Sequence, residues 1–211
     1  MMEYRKPPST LNLNKEIFKM IDSVLSGKSL RARLTLKSLL SLAVLALSVA
    51  LPQLVHLCFG AGMGVTLLPM YLPVLLGAGL LGVRWGVTVG VLSPLVSFAL
   101  TSLFSSPMPA LSRLPFLMAE LAVFALVGGL FAKKIEKNML WAFPAVLAAQ
   151  ICGRGSFLLL SVLFGRFASL PTTLVLSQVK AGIPGLLLQL ALVPLFFFLF
   201  GQLLSKEKNR D

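Results

Sequence analysis

Six stretches of this chain are apolar for close to the length of a bilayer crossing, and that pattern decides what the chain can fold into. They run over 38–55, 66–83, 85–104, 114–132, 139–164 and 179–204. A spanning helix needs about 20 predominantly apolar residues, and inside hydrocarbon each backbone amide must be satisfied within its own helix or in a closed barrel. Runs of this length point to helices, so the sequence predicts an all-α integral membrane protein with six transmembrane helices. A mean hydropathy of +0.91 with only 12% charged residues is far from that of a soluble domain. The layout that follows is a cytoplasmic tail over 1–35, one membrane domain over 36–204 and a short cytoplasmic tail over 205–211. No connection between spans is long enough for a soluble catalytic or nucleotide-binding module.

The formal charge of +12 invites a nucleic-acid reading, but the placement of the basic residues gives a simpler account. Of the 19 lysines and arginines, eight precede the first span, Arg84 follows the second, and Lys133, Lys134 and Lys137 follow the fourth. Lys206, Lys208 and Arg210 end the chain. The opposite-side connections hold only Arg113 and Arg166. By the positive-inside rule both termini lie in the cytoplasm, which requires an even number of spans. The charge is thus an orientation signal, with no nucleic-acid partner expected and a multi-pass location in the cytoplasmic membrane.

The small-x-small triplet Ser48-Val49-Ala50 ends the first apolar run as a signal-peptidase site would. The region before it is longer than a secretory n-region, and Leu51-Pro52 follows directly, so the segment is expected to stay as a helix. Upstream, 14–26 is amphipathic, with Ile17, Phe18, Ile21, Val24 and Leu25 on one face, Asn14 as a cap and Gly27 as a stop. It is expected to lie against lipid on the inner surface.

Pro69 and Pro73 stand at the outer start of the second span, where proline frees backbone groups near a pocket. Gly82, Gly86 and Gly90 repeat every four residues into the third span, a spacing that lets helices approach closely. On the first span, Ala46 and Ala50 form the same small-xxx-small arrangement and are expected to receive another helix, internal or from a partner subunit.

Two cations and a carboxylate fall inside apolar segments: Glu120, Arg154 and Lys180. Inserting a charged side chain near a helix centre costs at least about 2.5 kcal/mol, so such residues face a protein interior or a wet cavity. At 1.5 Å rise per residue, Glu120 lies roughly 9 Å from the outer end of its helix, Arg154 roughly 15 Å, and Lys180 about one turn in. Three helices therefore offer charges to one depth range, which suits an anionic or zwitterionic ligand arriving from outside. Gln150, four residues before Arg154, and the stripe Ser93, Ser97 and Thr101 are expected to extend the same lining.

Catalytic signatures are missing: no Ser/His pairing, no G-x-S-x-G and no H-E-x-x-H occurs. Gly27-Lys28-Ser29 has the ending of a phosphate-binding loop without its earlier glycine or strand. Cys58, Cys152 and His56 lack metal-site spacing, and no cofactor is expected.

The run Leu68-Pro69-Met70-Tyr71-Leu72-Pro73-Val74-Leu75-Leu76, then Gly82-Val83-Arg84-Trp85-Gly86 and Leu92-Ser93-Pro94-Leu95-Val96-Ser97, resembles the substrate-binding subunits (S components) of energy-coupling factor (ECF) transporters. The glutamate-led stretch from Glu120 to Leu130 is similar to the fourth helix of that group. The resemblance covers about 36–204. It implies a vitamin-capturing subunit that docks on a membrane coupling protein carrying two cytoplasmic ATPases and topples in the bilayer to release its cargo. Ala46 and Ala50 would then contact the coupling protein, and Tyr71, where relatives often carry histidine, would join the ligand residues. Pantothenate, a pyridoxine-type vitamer, folate, nicotinate and a cobalamin-related compound all stay open as substrates, with a net-positive pocket favouring the anions. The alternative is a proton-coupled secondary carrier of a small organic anion, with Glu120 changing protonation. Against it, the paired repeats common in such carriers are not evident. A scaffold protein would leave the three buried charges without a purpose.

Overall fold

The computed structural model describes residues 30–104, 108–164 and 172–208, all of whose regular structure is helical. The order is α1 (Leu30–Phe59), α2 (Ala61–Leu67), α3 (Tyr71–Leu81), α4 (Val83–Ser102), α5 (Leu114–Leu130), α6 (Ala132–Lys137), a 3-10 turn (Met139–Trp141), α7 (Ala142–Phe164), α8 (Thr172–Ala181) and α9 (Ile183–Lys208). Among the described residues, four stretches are long and apolar enough to cross a membrane: Leu34–Phe59, Val83–Ser102, Leu114–Lys137 and Met139–Phe164. The amphipathic stretch 14–26 and Gly27-Lys28-Ser29 lie outside the described residues.

The second apolar segment departs from expectation because the backbone breaks inside it, and the sixth breaks only near its start. Leu68 takes the left-handed conformation (φ 49°, ψ 51°) and closes α2, and Pro69 follows with no amide hydrogen to continue the helix. The helix that resumes at Tyr71 has 11 residues, about 16 Å, roughly half a hydrocarbon core. In the sixth segment, α8 ends at Ala181 and α9 starts at Ile183, with Gly182 between them. From there α9 runs unbroken over 26 residues to Lys208.

A short helix with apolar residues on every side belongs in the interior, and α3 packs against α1, α4 and α5. Tyr71, Val74, Leu75 and Ala78 are buried along it. The other central element is α5, which contacts α3, α4 and α7. Its most apolar window is 44% buried, against 11% for α1, so α5 is the axis of the bundle and α1 a flank. Outward-facing Leu39, Leu42, Leu54, Leu57 and Ile151 are exposed, as a lipid-facing surface requires.

The glycine spacing divides into two roles. A Cβ on Gly86 would lie 2.7 Å from the Ala78 backbone, and one on Gly90 would lie 2.6 Å from the Leu121 carbonyl oxygen, so both let α4 close on its neighbours. Gly82 meets nothing within 4 Å; it turns the chain from α3 to α4 at φ 82°, a conformation glycine adopts without penalty.

Ala46 and Ala50 are both exposed, so that face of α1 receives no other helix of the described chain. On the opposite side, Ser48 Oγ meets Ser93 Oγ at 2.6 Å, and the Ser93 hydroxyl reaches the Val89 carbonyl. Ser93 therefore joins α1 to α4.

Candidate ligand-binding site

At the end of α1 away from Leu30, the bundle holds an open-sided cavity of about 300 Å³. The last turns of α1 contribute Pro52, Gln53 and His56, the α2–α3 break contributes Leu68 to Tyr71, and α7 contributes Arg154 and Phe157. Arg113, Leu117 and Glu120 enter from one face of α5 and its start, at i, i+4 and i+7.

Glu120 is the anchor at the floor. Its side chain is 1% exposed and its Oε1 lies 2.9 Å from a terminal nitrogen of Arg154. Its Oε2 accepts a 2.6 Å hydrogen bond from the Tyr71 hydroxyl. The Tyr71 ring, in turn, carries the Arg154 guanidinium 5.2 Å from its centroid and meets Phe124 edge-on at 5.3 Å. A carboxylate, a guanidinium and a phenol from α5, α7 and α3 thus hold one another in a low-dielectric interior. Gly153 allows the approach of α7, since a Cβ there would lie 3.1 Å from Phe124 and 3.5 Å from the Glu120 carbonyl.

The pairing leaves Arg154 partly unused. Its Nε and second terminal nitrogen are buried without a hydrogen-bond acceptor. Gly182, at the α8–α9 break, provides the room for that terminal nitrogen: a Cβ there would stand 3.1 Å from it. The break in the sixth apolar segment is thereby tied to the site.

The remaining expected site residues divide. Ser97 lines the cavity, with its hydroxyl donating to the Met108 carbonyl at 3.0 Å. Thr101 does not reach the cavity; its hydroxyl accepts from the Met108 amide at 2.8 Å and so pins the segment after α4. Gln150 points elsewhere, donating to the Leu186 carbonyl of α9 at 2.8 Å. Lys180 is exposed on α8 and is not part of the lining. The reason is rotational: one turn of depth put Lys180 at a suitable level, but the inward position on α8 belongs to Gln178, two residues earlier.

Arg113 takes the place expected for Lys180 as the second cation of the lining. With the Gln178 amide oxygen turned toward it, both terminal nitrogens of Arg113 donate to that oxygen, at 2.7 and 2.8 Å. The sequence carried a signal for Arg113 in its seven-residue spacing to Glu120, masked by its position in a connection between spans. His56, Gln53 and Gln178 had no comparable signal. Among the described residues, no three His, Cys, Asp or Glu side chains come together as a metal site needs.

Comparison of the chain with protein-family models, with curated proteins and with solved structures finds no match.

Proposed function

We propose that this chain is the substrate-binding subunit of an ECF-type importer, capturing a vitamin or vitamin precursor at the outer face of the cytoplasmic membrane. The observation that carries the reading is the closed Glu120–Arg154–Tyr71 cluster at the floor of a ligand-sized cavity. Cavities of about 300 to 1,000 Å³ with apolar walls and a few converging polar groups are the usual form of small-molecule sites. Its place supports the reading too: it lies at the end of the bundle that the basic residues assign to the outside. In this topology the short helix α3 and the long helix α9 complete six passes, with both termini in the cytoplasm. ATP would be hydrolysed by two partner ATPases, and the exposed Ala46 and Ala50 face of α1 would meet the membrane coupling subunit.

The test is affinity isolation of the tagged chain from its native membranes, followed by identification of the proteins retained. Recovery of a membrane coupling subunit with two ATPases supports the proposal; recovery of the chain alone refutes it. The buried carboxylate of Glu120 favours one second reading, the proton-coupled carrier. Uptake that survives loss of the ATPases and collapses with an uncoupler would establish that reading instead.

A further inference from the structure

The sequence leaves the chemistry of the cargo open, and the cavity narrows it. Its lining holds two guanidinium groups, Arg113 and Arg154, and one carboxylate, Glu120. The lining therefore carries one net positive charge, which a singly charged anion would balance. The unspent donors lie on one residue. One terminal nitrogen of Arg154 stands 2.9 Å from Glu120 Oε1 as an ion pair that makes no hydrogen bond, while its Nε and other terminal nitrogen are buried without an acceptor. Those two N–H groups form one edge of the guanidinium, the edge that matches the two oxygens of a carboxylate. Arg113 differs, because Gln178 occupies its terminal nitrogens.

Size and wall chemistry set the rest. A volume of about 300 Å³ is roughly ten water volumes, enough for a ligand of roughly ten to twenty non-hydrogen atoms. Pro52, Leu68, Met70, Leu117 and Phe157 supply apolar wall, and a doubly charged phosphate would leave an unmatched negative charge among them.

We propose that the ligand is a small monocarboxylate with a largely apolar body, its carboxylate taken by the Nε edge of Arg154 after a small turn of the guanidinium about its contact with Glu120. This rests on the cavity being the transport site. It removes polyacidic compounds such as folate, and cationic vitamers, from the candidates. Glu120 and Tyr71 serve as positioning residues that hold the guanidinium through its other nitrogen and its face.

The test uses the full chain, purified from membranes into lipid nanodiscs. It is titrated with nicotinate, pantothenate and octanoate, each beside its own carboxamide, while compounds released on denaturing the untreated protein are identified by mass spectrometry. At least one acid is expected to bind, with its amide weaker on the order of 100-fold, as loss of one partner of a buried charge pair implies. R154K, which keeps the charge and loses the edge, is expected to lose most of that preference with its helix content unchanged. Equal binding of an acid and its amide overturns the proposal, and so does a retained compound that is cationic, neutral or polyacidic. Failure of all three acids together with no carboxylate among released compounds overturns it as well. The transport reading fails separately: a chain that binds a monocarboxylate but brings down no ATPase refutes the importer and keeps the ligand, whereas ATPases recovered with a neutral ligand do the reverse.

Discussion

Removing Arg154 alone should be worse than removing Arg154 and Glu120 together. In R154M the Glu120 carboxylate, 1% exposed, keeps the Tyr71 hydrogen bond and loses the ion that faces it. Breaking a buried pair in this way costs about 3–5 kcal/mol, because the surviving charge stays buried without its partner. For a domain of 150–250 residues, each kcal/mol moves Tm by about 2–4 °C, so R154M should unfold roughly 10 °C below the parent. In the double variant R154M/E120Q neither charge remains, methionine fills most of the arginine volume, and the amide oxygen that replaces the carboxylate can still accept from Tyr71. More than half of the lost stability should return. Helix loss on heating, followed by circular dichroism in one detergent for parent, R154M, E120Q and the double variant, gives the full cycle. A double variant less stable than R154M, or a cycle in which the two losses simply add, would refute the view that this cluster is an energetically coupled unit.

Other outcomes can be checked in the same preparation. Y71F keeps the ring contacts with Phe124 and Arg154 and removes the 2.6 Å hydrogen bond; a lost bond to a charged group of about 1.5–3 kcal/mol predicts a Tm drop of roughly 5 °C. K180A should leave ligand affinity within about two-fold and R113A should weaken it by about ten-fold or more, measured by titration calorimetry, because only Arg113 lines the cavity. G90A should destabilise by about 1–3 kcal/mol, since its Cβ would fall 2.6 Å from a backbone oxygen, while G155A, with nothing within 4 Å, should be neutral or slightly stabilising in the same thermal scan. In cells carrying C152S, a membrane-impermeant maleimide should label the exposed Cys58 from outside; labelling only after permeabilisation would invert the topology that the basic residues assign.

How the site came to be legible only in part follows from what a sequence pattern encodes. The length and hydropathy of the apolar runs set the helical character, because a backbone in hydrocarbon has few other ways to satisfy its amides. The insertion cost of a charge required Glu120 and Arg154 to be paired or in a cavity, and they stand 2.9 Å apart. The resemblance brought in Tyr71, which donates to Glu120. Depth along a helix can be counted in residues, so these placements needed no third dimension.

Rotation about each helix axis, and the breaks between helices, came from packing. Lys180 and Gln178 sit within one turn of α8, yet only Gln178 faces the cavity. Gln150 lies one turn from Arg154 on α7, yet donates to Leu186 on α9. The left-handed turn at Leu68 could not be read from a residue type that usually avoids it; the short helix that follows it packs against α1, α4 and α5. Arg113 looked like a loop charge until its spacing to Glu120 was wound onto α5 and Gln178 arrived from α8 to hold it. The lipid solvent, the helices and the buried charges were all written in the residue order, because each is a local free energy of transfer. Which donors face one another across the cavity depends on contacts between residues far apart in the chain, and those exist only once the helices have packed.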